Sequence, residues 1–147
     1  MKSNEKNENI EMLNELYQNA DMGERGTELL IERTKDANLS AQLNQYAERY
    51  AMIKKDASAL LSQQGQTPKF ARQSTRAGLW MGVNMNTMID KTPSHIAEML
   101  IQGSTMGIIK GEKNKKKNPN TDTEVKTIED NLIKLEQDYI NTMKQFL

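Results

Sequence analysis

The sequence predicts an all-α fold: a four-helix bundle of two antiparallel hairpins, with an additional short helix in the long crossover between them. Three observations lead there. Apolar and small residues recur at alternating spacings of three and four along four segments, the period of a helix with one buried face. The first two segments are separated by a break too short for anything but an antiparallel hairpin. No alternating run of β-branched residues survives four positions, so no strand competes.

Residues 1–8 are polar and predict a disordered tail before a single domain over 9–147. The first helix spans about Asn9 to Lys35, with its seam on Leu13, Leu16, Tyr17, Ala20, Gly23, Thr27, Leu30 and Ile31. Ser40 suits the N-cap of a second helix over Ala41 to Gln64. Its seam is Leu43, Tyr46, Ala47, Tyr50, Ile53, Ala57, Leu60 and Leu61, and Gly65 is its stop. The Met-rich stretch from Phe70 to Ile89 predicts the crossover helix, closed by Asp90-Lys91-Thr92-Pro93.

The next helix is expected from Ser94 to Lys110, with a seam on Ile96, Met99, Leu100, Gly103, Met106 and Gly107. Gly111 to Asn120 holds Gly, Pro, Asn and Lys without an apolar residue and reads as a solvated loop. Thr121, with Glu124 at capping-box spacing, or Thr123 caps the last helix. That helix carries Val125, Ile128, Leu132, Leu135, Tyr139, Met143 and Phe146 on one face.

Composition excludes several classes of function. The chain has no Cys, one His and 20 basic against 20 acidic residues. Disulfides, thiolate chemistry and zinc fingers are therefore out, and the neutral balance disfavours nucleic-acid binding. Hydrophobic residues make up 36 %, or about 39 % on the usual apolar set, against roughly 45–50 % in typical globular chains. So thin a core suits amphipathic helices and an oligomer, most simply a homodimer. No apolar run is long enough to span a membrane, and the polar N-terminus is not a secretory signal. A cytoplasmic location is the expectation.

Leu13-Asn14-Glu15-Leu16, the Gly23–Gly26 region, Gly78-Leu79-Trp80 and Glu98-x-x-x-Gln102-Gly103 carry a resemblance. Over residues 10–147 the chain resembles a small, functionally uncharacterised bacterial branch of the ferritin-like superfamily. The resemblance implies a ferritin-like four-helix bundle, and that branch has no agreed activity to carry over.

A di-iron or di-manganese centre in such a bundle needs a Glu from each of two helices and a Glu-x-x-His from each of the other two. No Glu-x-x-His occurs. Glu48 falls on the solvent side of its helix, and Glu136 is followed at +3 by Tyr139. Glu24, Glu98, Glu136 and His95 are the only candidates for a degenerate site. No cofactor and no catalytic residue is therefore expected, with a ferritin-type metal or oxidative-stress protein as the alternative.

Tyr17, Tyr46, Tyr50 and Tyr139 all fall on seams, where buried hydroxyls need partners. The sequence predicts that they bond to Glu24 as a core polar cluster in place of a metal. Gly78, Trp80, Met81, Gly82 and Met85 combine close-approach glycines with adaptable methionines. They are read as a surface for a second copy or a protein partner. Lys113, Lys115, Lys116 and Lys117 have no interleaved aromatic and read as a solvated charge run. The functional expectation is a structural or protein-interaction module.

Overall fold

The computed structural model describes residues 3–71, 78, 79, 82 and 90–147. These residues form four α-helices and no strand: α1 (Ser3–Ile31), α2 (Ala37–Gln63), α3 (Pro93–Lys117) and α4 (Thr123–Met143), which ends in a 3₁₀ turn at Lys144–Phe146. The expected crossover helix over 70–89 lies almost wholly outside the described residues, with Trp80, Met81 and Met85. No described helix is long and apolar enough to cross a membrane.

α1 packs most extensively on α2, and α3 on α4; α1 also borders α3, and α2 borders α4. Cross-links fix the directions. Asn19 of α1 reaches Gly107 of α3, and Asn114 reaches back to Met12, so α1 and α3 are antiparallel. Tyr46 meets Thr142 and Tyr50 meets Glu136, so α2 and α4 are antiparallel as well. The order is up, down, down, up. The chain between α2 and α3 must therefore travel the length of the bundle, about 40 Å for a 27-residue helix.

Local chemistry sets the helix ends, and several differ from the expectation. α1 opens at Ser3, inside the stretch expected as a tail. Its Asn9 is buried because its side chain clasps Asp122: Asn9 Nδ2 donates to Oδ2 at 3.0 Å, and the Asp122 N–H donates to Asn9 Oδ1 at 2.8 Å. α2 starts at Ala37, not Ala41, because Asp36 and not Ser40 is its N-cap, its Oδ1 accepting the Leu39 N–H at 2.8 Å. α2 closes in a Schellman turn. Gly65 sits at φ 70°, and the Gly65 and Gln66 N–H groups bond to Ser62 and Leu61 carbonyls. Thr92 caps α3 through the His95 N–H, with Pro93 at the first position.

The solvated loop expected over Gly111–Asn120 is instead two further turns of α3, through Lys117. Gly111 and Asn114 are buried there. A Cβ on Gly111 would lie 2.8 Å from Ile133 Cγ1, so the glycine is a packing residue against α4 and not a breaker. Neither threonine caps α4. Asp122 holds that position without a side-chain cap bond, its carboxylate committed to Asn9, and Thr121 is buried.

The seams of α1, α2 and α4 are buried largely as read. Leu13, Leu16, Ala20, Leu43, Leu61, Leu132 and Leu135 are all within 1 % of full burial. On α3 Ile96, Leu100 and Gly107 of the expected seam are buried, and Ala97, Ser104, Gly111 and Asn114 complete the buried row, while Gly103 and Met106 are exposed.

Candidate functional site

α4 buries more than its apolar seam. Glu129 and Glu136, two turns apart on one face, are 1 % and 3 % exposed. Small residues on α3 make this possible: a Cβ on Gly107 would stand 2.6 Å from Glu136 Oε1. Opposite, a Cβ on Gly23 would stand 2.5 Å from the Tyr50 ring. The two glycines thus admit the two side chains that meet in the middle of the bundle.

There the Tyr50 hydroxyl donates to Glu136 Oε2 at 2.7 Å, and the Ser104 hydroxyl is a further partner of that carboxyl. Burial pushes Glu136 up to about 7, the hydrogen bonds from Tyr50 and Ser104 opposing it. Burial, then the nearby Glu136 charge, raises Tyr50 well above its ordinary value. Tyr139 hydrogen-bonds Thr27 at 2.9 Å and stacks on Tyr46, centroids 4.2 Å apart. Tyr46 in turn meets Thr142 at 2.7 Å.

The expected core cluster is therefore organised around a different acid. Glu24 is half-buried and bonds to Lys54 at 3.1 Å, not to a tyrosine. Lys54 also holds the fully buried Asp21 at 2.8 Å, and Arg25 holds it at 2.9 Å. Burial alone would raise the Asp21 carboxyl; the Lys54 and Arg25 bonds and charges outweigh it and hold it below the ordinary value. Tyr17 lies edge-on to Phe70, with the Lys54 ammonium 5.4 Å from its ring centre.

A cavity of about 610 Å³ lies between α1 and α3. Met22, Leu30, Leu79, Met99 and Leu100 give it apolar wall, and Tyr50, Ser104, Glu136 and Tyr139 supply polar groups. His95 and Glu98 also line it, together with Gly78 and Gly82 of the crossover. His95 is half-buried, and its Nε2 has no hydrogen-bond partner among the described residues. Leu79 reaches the α1 wall: a Cβ on Gly26 would lie 3.6 Å from its Cδ1.

The four candidate metal ligands do not form a ligand set. Glu24 is taken by Lys54 and Glu136 by Tyr50, Glu98 is exposed, and His95 stands in the first turn of α3. Among the described residues no three His, Asp or Glu side chains converge to hold a metal ion. A buried carboxyl pushed up to about 7 presents a donor when protonated and only acceptors when ionised.

The lysine run lies on α3 and not in a loop, with Lys115 and Lys117 paired. Lys115 bonds Asp130 at 2.7 Å, and Lys117 bonds Glu11 and Glu15. Sequence reasoning missed Asp21, Ser104, Asn114 and Glu129. Glu129 carried one signal, since it stands seven residues before Glu136 and directly after Ile128 of the seam. Compared with known protein families, with characterised proteins and with solved structures, the chain matches none.

Proposed function

We propose that the chain is a ferritin-like bundle, with a helix in its crossover, that acts by binding and not by metal chemistry. The cavity between α1 and α3 takes a small, largely apolar molecule whose polar end reaches Glu136. One observation carries this reading: the 610 Å³ cavity combines apolar wall from Met22, Leu30, Leu79, Met99 and Leu100 with a buried polar network, Tyr50–Glu136–Ser104. That combination is the usual mark of a small-molecule site. The up, down, down, up order with one long crossover supports the ferritin-like assignment.

A homodimer or protein contact through Gly78, Trp80, Met81, Gly82 and Met85 fits the same reading. Gly78 and Gly82 border the cavity, so a partner there covers its mouth. A ferritin-type metal protein is the weaker alternative, because Glu24 and Glu136 already have other partners.

The test uses the neutral fluorophore N-phenyl-1-naphthylamine. It is expected to bind saturably, one per chain, with blue-shifted emission. Gly103 lines the cavity, and a side chain added there meets open space. Gly103→Phe is therefore expected to fold, to take up part of the cavity and to weaken binding. Absence of saturable binding, or equal binding by the variant, overturns the reading.

A further inference from the structure

Two acids belong to the described lining of the cavity between α1 and α3. Glu98 is exposed and Glu136 is buried. Gly107 closes over Glu136: a Cβ there would stand 2.9 Å from its Cδ. The close approach of α3 keeps the carboxyl inside the bundle.

No cation accompanies it among the described residues. Tyr50 of α2 and Ser104 of α3 bond it, and both are uncharged. Burial holds the Tyr50 and Tyr139 phenols above their ordinary value, so neither ionises near neutral pH. α1 contributes no titratable residue to the described lining. α3 contributes His95, Glu98 and Lys110, none of which is bonded to Glu136. Glu129, the other buried acid of α4, is bonded to Asn114 and is not part of this lining.

A buried carboxyl without a cation favours its neutral form. Once ionised it needs water as compensation. The cavity is the space beside it that holds water, since it is roomy and partly polar. An apolar guest occupies the same space. Hydrating the carboxylate and filling the cavity are therefore alternatives.

We propose that Glu136 couples the cavity to protons: its neutral carboxylic acid admits an apolar guest, and its ionised carboxylate, holding water, excludes one. This rests on the small-molecule reading above and adds its regulation. Guest binding then takes up a proton. Affinity falls as pH rises through about 7, the value to which burial pushes Glu136. His95 has the opposite sign, because its protonation brings a charge to the cavity as pH falls.

The test is the dissociation constant of N-phenyl-1-naphthylamine, read by fluorescence on the full chain from pH 6 to 9. Wild type is expected to bind at least fivefold more weakly at pH 9 than at pH 6, and Glu136→Gln to bind equally at both. Glu129→Gln is expected to keep the wild-type profile, which separates the gate from the pH dependence of stability. Titration calorimetry at pH 8 in HEPES and in Tris reads the same coupling without a substitution. Wild type is expected to take up about half a proton per guest. An affinity independent of pH, without proton uptake, overturns the gate and leaves the cavity reading standing. A pH profile that survives in Glu136→Gln, or an affinity that rises with pH, overturns the gate as well. Absence of saturable binding at every pH overturns both.

Discussion

Tyr50 and Glu136 join α2 to α4 by a 2.7 Å hydrogen bond in the middle of the bundle, each admitted by a glycine on a neighbouring helix. Tyr50 is 2 % and Glu136 3 % exposed. Tyr50→Phe removes the donor and leaves Oε2 short of a bond. The expected loss is about 1.5–3 kcal/mol, the range for hydrogen bonds to charged groups, read by urea unfolding. An unchanged unfolding midpoint contradicts the geometry.

The two glycines that look alike in sequence have opposite expected effects. At Gly23 an added methyl meets the rigid Tyr50 ring at 2.5 Å. Gly23→Ala is therefore expected to destabilise by about 1–3 kcal/mol, overpacking outweighing the gain in helix propensity. At Gly103 the methyl meets nothing, and Gly103→Ala is expected to stabilise by roughly 0.5–1 kcal/mol. Thermal unfolding of the two variants side by side checks the contrast.

Stability is expected to rise as pH falls from 8 to about 5. Glu129 and Glu136 sit at about 7 in the folded chain, both raised chiefly by burial from 4.5. Between those values the folded state holds more protons than the unfolded state, so the slope of unfolding free energy with pH is negative. The contribution is full below the unfolded value and gone above the folded one. Each acid accounts for at most ~3 kcal/mol. Asp21 acts oppositely: its folded value is lowered, so its contribution is lost as pH falls below 3.8. Urea midpoints measured at half-unit steps should peak near pH 5. Replacing both glutamates by Gln should flatten the alkaline side.

Lys54 supports Asp21, whose side chain is fully buried. Lys54→Met leaves that carboxylate with Arg25 alone and is expected to destabilise by about 3 kcal/mol, the low end for breaking a buried pair. Adding Asp21→Asn should recover much of the loss. Additive losses in the double-mutant cycle would contradict direct coupling.

Three helix faces were legible because apolar residues mark them: Leu13 to Leu30 on α1, Leu43 to Leu61 on α2, and Val125 to Met143 on α4. α3 was legible as a helix, with Ile96, Leu100 and Gly107 on its buried side, but not in its full buried row or its length. Its buried row holds Ser104, Gly107, Gly111 and Asn114, which hydropathy does not distinguish from a polar loop. Those residues are small or amide-bearing because Glu136, Ile133 and Glu129 of α4 lie against them. The same blindness moved the expected acid. Glu24 stands near its seam in sequence, yet Lys54, on a different helix, draws it away from the tyrosines. Glu136 stands beside its seam and is drawn in by the space at Gly107. Neither partner is local, so no periodicity on one helix reveals it.

The most direct test is carbon-13 NMR of the glutamate side-chain carboxyls, followed against pH with and without N-phenyl-1-naphthylamine. The account expects one resonance, absent from Glu136→Gln, to titrate near 7 and to move when the fluorophore fills the cavity. A Glu136 carboxyl titrating at the ordinary value of 4.5, or one indifferent to the fluorophore, would contradict it.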